Sequence, residues 1–356
     1  MSIALIIRDI PYLKLLQPII GELIIRKVPY SLYHYDTYRG EKEYLRASRA
    51  NIEKSSKLII EKATKVKPFS DDKYLLELLL KHNITKLISV EINLWGKEYL
   101  NYFKNNNIKT YSIQYLTDSM WSVKQKHLNH IDRIYYSTPY IMSKCFEFND
   151  IKFDQNRDRC FGSPIFEHIE QDTKNKNLLV LLPNLKSEHV QHTFGSEENF
   201  LNIMRKLYNP KQYNIILKTR KKQWLPNSIK QFGEVKDDGD VMYKPAVINY
   251  LKDCTTTVMF NSSGIYECVL GGNYVINVKL PLTRWSWDQK KLQNYFNSNL
   301  YNFKGVVESI DQKTILDKNY EFSLKQIDPI AKKEWVNSFI GNTSNSIKLI
   351  TEDILI

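Results

Sequence analysis

The chain has 356 residues, of which 42% are apolar, enough for two domains that each bury a core. Its 51 basic and 39 acidic residues leave a net charge of +12, which suits an anionic partner such as a nucleotide, a nucleic acid or an acidic membrane surface, although an AT-rich coding bias toward Lys, Asn, Ile and Tyr produces the same excess. The four cysteines, Cys145, Cys160, Cys254 and Cys268, form no CxxC pair, which argues against a disulfide framework or a structural zinc site and fits a reducing cytoplasm, and no apolar run reaches the ~18 residues of a membrane span.

Ile3–Ile7 is a continuous apolar run, the pattern of a parallel strand buried on both faces. Arg8 and Asp9 follow at its carboxyl end, where an open α/β sheet keeps its ligands. Leu13–Ile25 has helical apolar spacing, and Tyr30–Tyr35 predicts a second strand running into Asp36. Glu41–Lys65 is helix-like and rich in Lys and Arg, the pattern of a solvated face. Ile84–Val90, Ile108–Ile113 and Ile131–Tyr136 predict further strands, ending at Glu91, near Gln114 and Asp118, and at Ser137-Thr138-Pro139-Tyr140. This alternation predicts a doubly wound, Rossmann-like sheet. The first turn lacks GxGxxG, so a dinucleotide cofactor is not expected there. Cys160-Phe161-Gly162-Ser163-Pro164 closes the half.

The polar stretch Glu167–Asn177 marks a boundary, predicting one domain over 1–170, a second over 171–335, and a C-terminal helix over 336–356. Leu178–Leu182 restarts the pattern, and Pro183–Phe194 reads as a long loop. His189 and His192 within it form an HxxH pair, but no third ligand of metal-site spacing is near, so no metal is expected. Glu197–Leu207 reads as helix and Tyr213–Lys218 as strand, ending in the basic turn Lys218-Thr219-Arg220. That turn is either a phosphate-neutralising site or a solvated one. Phe232–Val235 suggests a short strand and Ala246–Asp253 a helix.

Then comes the most informative stretch, Tyr250–Pro281. A β-rich run, Thr255–Phe260, meets the polar corner Asn261-Ser262-Ser263-Gly264. A short helix, Ile265–Leu270, is stopped by Gly271-Gly272, and the strand Tyr274–Val278 follows. Strand, polar turn, helix and strand make one βαβ unit, whose turn offers backbone N–H groups to an anion, most often a phosphate. Glu267 on the first helical turn lies within reach of a ribose diol. Beyond Pro281, Arg284, Trp285, Trp287 and Asp288 could line a sugar pocket or pack at a domain seam. Pro329–Ile340 and Ser344–Leu355 predict the last helices.

Residues 261–267 with 271–277 resemble the donor-nucleotide motif of GT-B-fold sugar-nucleotide enzymes. These are the glycosyltransferases and glycerophosphotransferases of surface polysaccharides, and the non-hydrolysing UDP-N-acetylglucosamine 2-epimerases. The Gly162-Ser163-Pro164 turn is similar to the one that closes the first domain in those families. The resemblance implies two Rossmann-like domains facing across a cleft. It implies donor-nucleotide contacts from Asn261, Ser262, Ser263 and Gly264, with Glu267 on the ribose. Related transferases carry a Lys-Pro-His-Pro type turn where this chain has Lys218, Thr219 and Arg220. Lys218 matches and the histidine is missing, so a histidine-dependent step is not implied, while phosphate neutralisation by Lys218 and Arg220 is.

The expectation is a metal-independent, cytoplasmic glycosyltransferase-like enzyme without a cofactor. It would move a sugar or polyol phosphate from a nucleotide-activated donor to a glycan or lipid-linked acceptor, with association at a membrane surface left open. An inverting step needs a base near the acceptor hydroxyl. Of the carboxylates at predicted strand ends, Asp9 and Glu91 rank first. Arg284 and Asp288 are candidate sugar contacts. The alternatives are an epimerase of the UDP-N-acetylglucosamine type, for which only Arg284 survives of the expected arginine signature, and a basic nucleic-acid-binding or scaffold protein, for which no signature is present.

Overall fold

The computed structural model describes residues 2–7, 12–35, 64–66, 72–91, 97–114, 128–167, 169, 176–183, 185, 187–219, 225–237, 247–280 and 299–356. The chain divides into two compact units. One holds the described residues of 1–168 and 337–356, the other those of 169–239 and 245–336.

In the first unit the strands are β1 (Ile3–Ile7), β2 (Tyr30–Tyr35), β3 (Thr64–Val66), β4 (Lys86–Val90), β5 (Lys109–Ile113), β6 (Arg133–Tyr136) and β7 (Asp158–Cys160). They form one parallel sheet in the order β3-β2-β1-β4-β5-β6-β7. The first six follow the Rossmann order, in which the winding direction reverses between β1 and β4. β1 and β4 are buried at every position, as central parallel strands must be. The helices α1 (Leu13–Ile25), α2 (Asp72–Lys81), α3 (Lys97–Asn105) and α4 (Pro139–Asn149) alternate with them. One core joins Ala4, Ile6, Leu79, Leu87, Leu100, Phe103 and Ile134. The start of α4 follows from its sequence: the Thr138 side chain accepts the Ile141 N–H and Pro139 occupies the first turn.

The second unit repeats the plan with β8 (Asn177–Leu181), β9 (Ile215–Lys218), β10 (Glu234–Lys236), β11 (Cys254–Met259), β12 (Tyr274–Val278) and β13 (Val307–Ile310). Their order is β10-β9-β8-β11-β12-β13, all parallel, so the reversal falls between β8 and β11. The helices from here to the end of the chain are α5 (Ser187–Phe194), α6 (Glu197–Leu207), α7 (Asn227–Lys230), α8 (Ile248–Leu251), α9 (Ile265–Leu270), α10 (Gln312–Leu316), α11 (Pro329–Phe339) and α12 (Ser346–Leu355). α6 carries its own boundary signals: the Ser196 cap, Glu197 and Glu198 in the first turn, Arg205 and Lys206 in the last. α12 belongs to the first unit, where Glu167 accepts from Ser346 Oγ at 2.8 Å and from the Ile347 N–H at 2.6 Å, fixing the helix start. At its other end Lys86 Nζ donates to the Ile354 carbonyl at 2.6 Å, and Tyr135 donates to Asp353 at 2.8 Å.

Two expectations are corrected. Of the helix-like stretch Glu41–Lys65, residues 64 and 65 belong to the edge strand β3, and the remainder lies outside the described residues. The segment read as a loop over Pro183–Phe194 holds α5, because Val190 and Phe194 recur at helical spacing and bury against the core.

Candidate functional site

The polar corner of the second unit follows β11 directly, and β11 borders the strand-order reversal. Asn261 takes a left-handed backbone (φ 46°), a conformation asparagine tolerates better than most residues. Its amide donates to Asn277 Oδ1 at 2.8 Å, and Asn277 Nδ2 returns a bond to Asn261 Oδ1 at 2.9 Å. Asn277 is fully buried in the middle of β12, and its Nδ2 also donates to Ser309 Oγ at 3.2 Å. Ser309 in turn donates to the Tyr301 carbonyl at 2.8 Å, and the Tyr301 hydroxyl donates to the Ser262 carbonyl at 3.3 Å. Neutral amides and hydroxyls from three strand ends therefore fix the corner's shape.

Ser262 is half-buried and Ser263 exposed. The Gly264 N–H donates to Ser262 Oγ at 3.2 Å. A Cβ on Gly264 would lie 2.8 Å from Leu181 Cδ1, so the corner packs against the end of β8, the strand on the other side of the reversal. Glu267 lies on the first turn of α9 and is 9% exposed. The helix has six residues, so an anion placed at the corner would meet backbone and hydroxyl groups more than a summed helix dipole. Gly271 ends it, and Gly272 follows in the left-handed region at φ 82°.

Lys218 is the last residue of β9 and is buried, its Nζ donating to the Thr219 carbonyl at 2.8 Å. Farther along the same edge, Lys279 pairs with Asp311 at 3.6 Å. Arg220, Arg284 and Asp288 lie outside the described residues. So does Asp238-Gly239-Asp240, an Asp-x-Asp triplet that reading the sequence for metal motifs passes over. Among the described residues no group of three His, Cys, Asp or Glu side chains could hold a metal ion.

In the first unit Asp9 lies outside the described residues. Glu91 follows β4, beside the other strand-order reversal, and is 2% exposed. Its backbone is left-handed (φ 52°), and its N–H donates to the Ile113 carbonyl at 2.9 Å. Tyr12 donates to Glu91 Oε2 at 2.6 Å. On the next strand Gln114, 4% exposed, accepts the Ser137 N–H at 3.1 Å through Oε1. The carboxyl ends of β4, β5 and β6 thus carry a carboxylate, an amide and a hydroxyl residue in sequence.

Tyr12, Tyr301 and Ser309 were not legible as site residues. Asn277 had a signal: it is the one polar residue in the apolar strand YVINV, and a polar side chain in a fully buried strand needs partners.

No family model matches the chain, and no curated protein matches it in sequence. Solved structures do match over the whole length. The UDP-GlcNAc 2-epimerase from Neisseria meningitidis, bound to UDP-GlcNAc, aligns over 100% of both chains with TM-score 0.57 at 11% identity. MurG from Acinetobacter baumannii aligns over 99% of this chain and 98% of its own, with TM-score 0.59 at 10% identity. The UDP-GlcNAc 2-epimerase from Methanocaldococcus jannaschii aligns over 100% of both chains, with TM-score 0.54 at 11% identity.

Proposed function

We propose that this chain, which has the GT-B fold of two Rossmann-like sheets that each reverse their winding once, is a glycosyltransferase-like enzyme that takes a sugar or polyol phosphate from a nucleotide-activated donor and passes it to a glycan or lipid-linked acceptor. The observation that carries this reading is the corner 261–264, held rigid by Asn277 at the strand-order reversal of the second unit. Ligands of open α/β sheets bind at that crevice. The donor diphosphate would lie against Ser262, Ser263 and the corner's backbone amides, with Glu267 toward the ribose. Lys218 and Arg220 would offset the charge that grows on the leaving nucleotide. Asp9 or Glu91 would supply the base, Glu91 standing at the carboxyl end of β4. Arg284 and Asp288 are proposed sugar contacts. No cofactor or metal enters this scheme. Among the described residues no helix is long and apolar enough to cross a membrane. The proposed location is the cytoplasm, with peripheral association at a membrane where the acceptor is lipid-linked.

Thermal shift with UDP, CDP, GDP and CMP tests the reading, because a ligand bound only by the native fold raises the melting temperature. A shift with at least one diphosphate is expected, lost in Glu267→Ala while the fold is retained. No shift with any nucleotide would count against every sugar-nucleotide reading. The second reading is a 2-epimerase, favoured by full-length likeness to two enzymes of that name. Incubation with UDP-N-acetylglucosamine alone separates the two. An epimerase changes the sugar's configuration and keeps the nucleotide attached, whereas a transferase releases UDP when an acceptor is supplied.

A further inference from the structure

Glu91 is tied across 79 residues of sequence to Tyr12, at 2.6 Å. Three features of this tie go together. Glu91 stands at the strand-order reversal of the first sheet, where such sheets keep ligands. Its backbone is left-handed, a region that glycine or asparagine enters at less cost than glutamate, and residues held there cluster at functional sites. Its carboxylate is nearly fully buried and accepts the Tyr12 hydroxyl proton, a contact that fixes its orientation.

We infer that Tyr12 is a positioning residue: it holds the Glu91 carboxylate in a fixed orientation, as the base for an acceptor hydroxyl. The inference rests on the transferase reading. In the step it serves, Glu91 takes the acceptor's hydroxyl proton as the acceptor oxygen bonds to the donor's reacting carbon. The bond from that carbon to the phosphate oxygen breaks, its electron pair leaves with the nucleoside diphosphate, and protonated Glu91 then returns its proton to water. Gln114 and Ser137, on the next two strand ends, are neutral side chains able to exchange hydrogen bonds with a sugar hydroxyl.

The test uses the full chain with Tyr12→Phe, Glu91→Gln and Glu91→Gly, UDP as the binding probe and UDP-N-acetylglucosamine as the donor, with UDP release to water as the readout. Both Glu91 variants should melt within about 2 °C of the parent, since Gln keeps an acceptor for the Tyr12 hydroxyl and Gly relieves the left-handed backbone. Glu91→Gln should lower kcat by about 100-fold or more with the donor KM nearly unchanged. Tyr12→Phe should lower kcat by about 10-fold or more with the donor KM nearly unchanged, because the carboxylate is no longer held in place. An unchanged kcat in Tyr12→Phe overturns the inference. So does a fall of about 5 °C or more in both Glu91 variants, which would make the tie structural, and the melting temperatures decide this even where no turnover is seen. Absence of a UDP shift in the parent is a separate result that sinks the donor reading of the second unit.

Discussion

Replacing Asn277 separates the shape of the corner from its charge. Asn277 accepts the Asn261 N–H at 2.8 Å and donates to Asn261 Oδ1 at 2.9 Å and Ser309 Oγ at 3.2 Å, all from a fully buried side chain. Alanine removes all three bonds and strands the Asn261 amide. At roughly 1 kcal/mol net per bond the loss is about 3 kcal/mol. For a domain of roughly 150–250 residues that is a fall of about 6–12 °C in melting temperature. Asn277→Asp keeps the shape and the acceptor for the Asn261 N–H. It cannot donate to Asn261 Oδ1 or to Ser309, whose single proton goes to the Tyr301 carbonyl. It also sets a negative charge under the proposed phosphate seat. Calorimetry with and without UDP reads both effects. Asn277→Ala should melt lower and keep a reduced UDP shift; Asn277→Asp should lose the UDP shift altogether. An Asn277→Ala variant that melts within about 2 °C of the parent would refute the energetic argument. A full UDP shift in Asn277→Asp would refute the placement of phosphate at this corner.

Other outcomes are expected from the same physics. Gly162→Ala puts a Cβ 2.3 Å from the Asn342 carbonyl oxygen at φ 90°, so a loss of about 3 kcal/mol is expected in chemical denaturation. Gly21→Ala, inside α1 with nothing within 4 Å of its Cβ, should instead add about 0.5–1 kcal/mol. Burial pushes the Cys160 and Cys254 thiols up to about 12 and Cys268 higher still. A disulfide reagent at pH 8 should therefore modify the native protein slowly, and all four cysteines in denaturant. Burial pushes the Tyr111 phenol up to about 12 and the Tyr135 and Tyr136 phenols well above the ordinary range, Tyr135 also through Asp353. A raised folded value means the stabilising contribution is complete below the unfolded value near 10 and is lost as pH rises beyond it. Melting temperature should thus fall steeply above about pH 10, with tyrosinate absorbance appearing on unfolding.

How much of the fold could be read from sequence depended on burial. Ile3–Ile7 and Tyr274–Val278 were legible to the residue because central parallel strands are apolar on both faces. β7 was not legible. Its three residues, Asp158–Cys160, sit at the sheet edge, and no hydrophobic pattern marks them. They are held by polar geometry instead: Arg157 forks onto Asp158 at 2.8 Å through two nitrogens, and the Asp154 amide donates to the same carboxylate. β13, at the edge of the other sheet, was missed for a related reason, since VESI is neither a continuous apolar run nor an alternation and only Val307 is buried. At the site, position was legible and orientation was not. Lys218 stands at the strand end that its spacing implied, but its ammonium turns onto the adjoining Thr219 carbonyl, a choice made by packing that no local pattern encodes.

The two sheets share one strand order, so the order alone cannot assign substrate halves to them; the side chains at their reversals can. Beside the first reversal lies Glu91, buried and accepting from a tyrosine hydroxyl, with Gln114 on the next strand end. A phosphate placed there would face a carboxylate of its own sign in a poorly solvated setting, where like charges within reach of each other cost several kcal/mol. Beside the second reversal lie Asn261, Ser262 and Ser263, neutral side chains braced by Asn277, whose own donors are spent within the corner. A nucleoside diphosphate placed there would meet the serine hydroxyls. The same carboxylate that would repel a phosphate is the group an acceptor hydroxyl needs in order to shed its proton. The distribution of charge between the two edges therefore supports donor binding at the second unit and acceptor chemistry at the first, on grounds independent of any likeness to other enzymes.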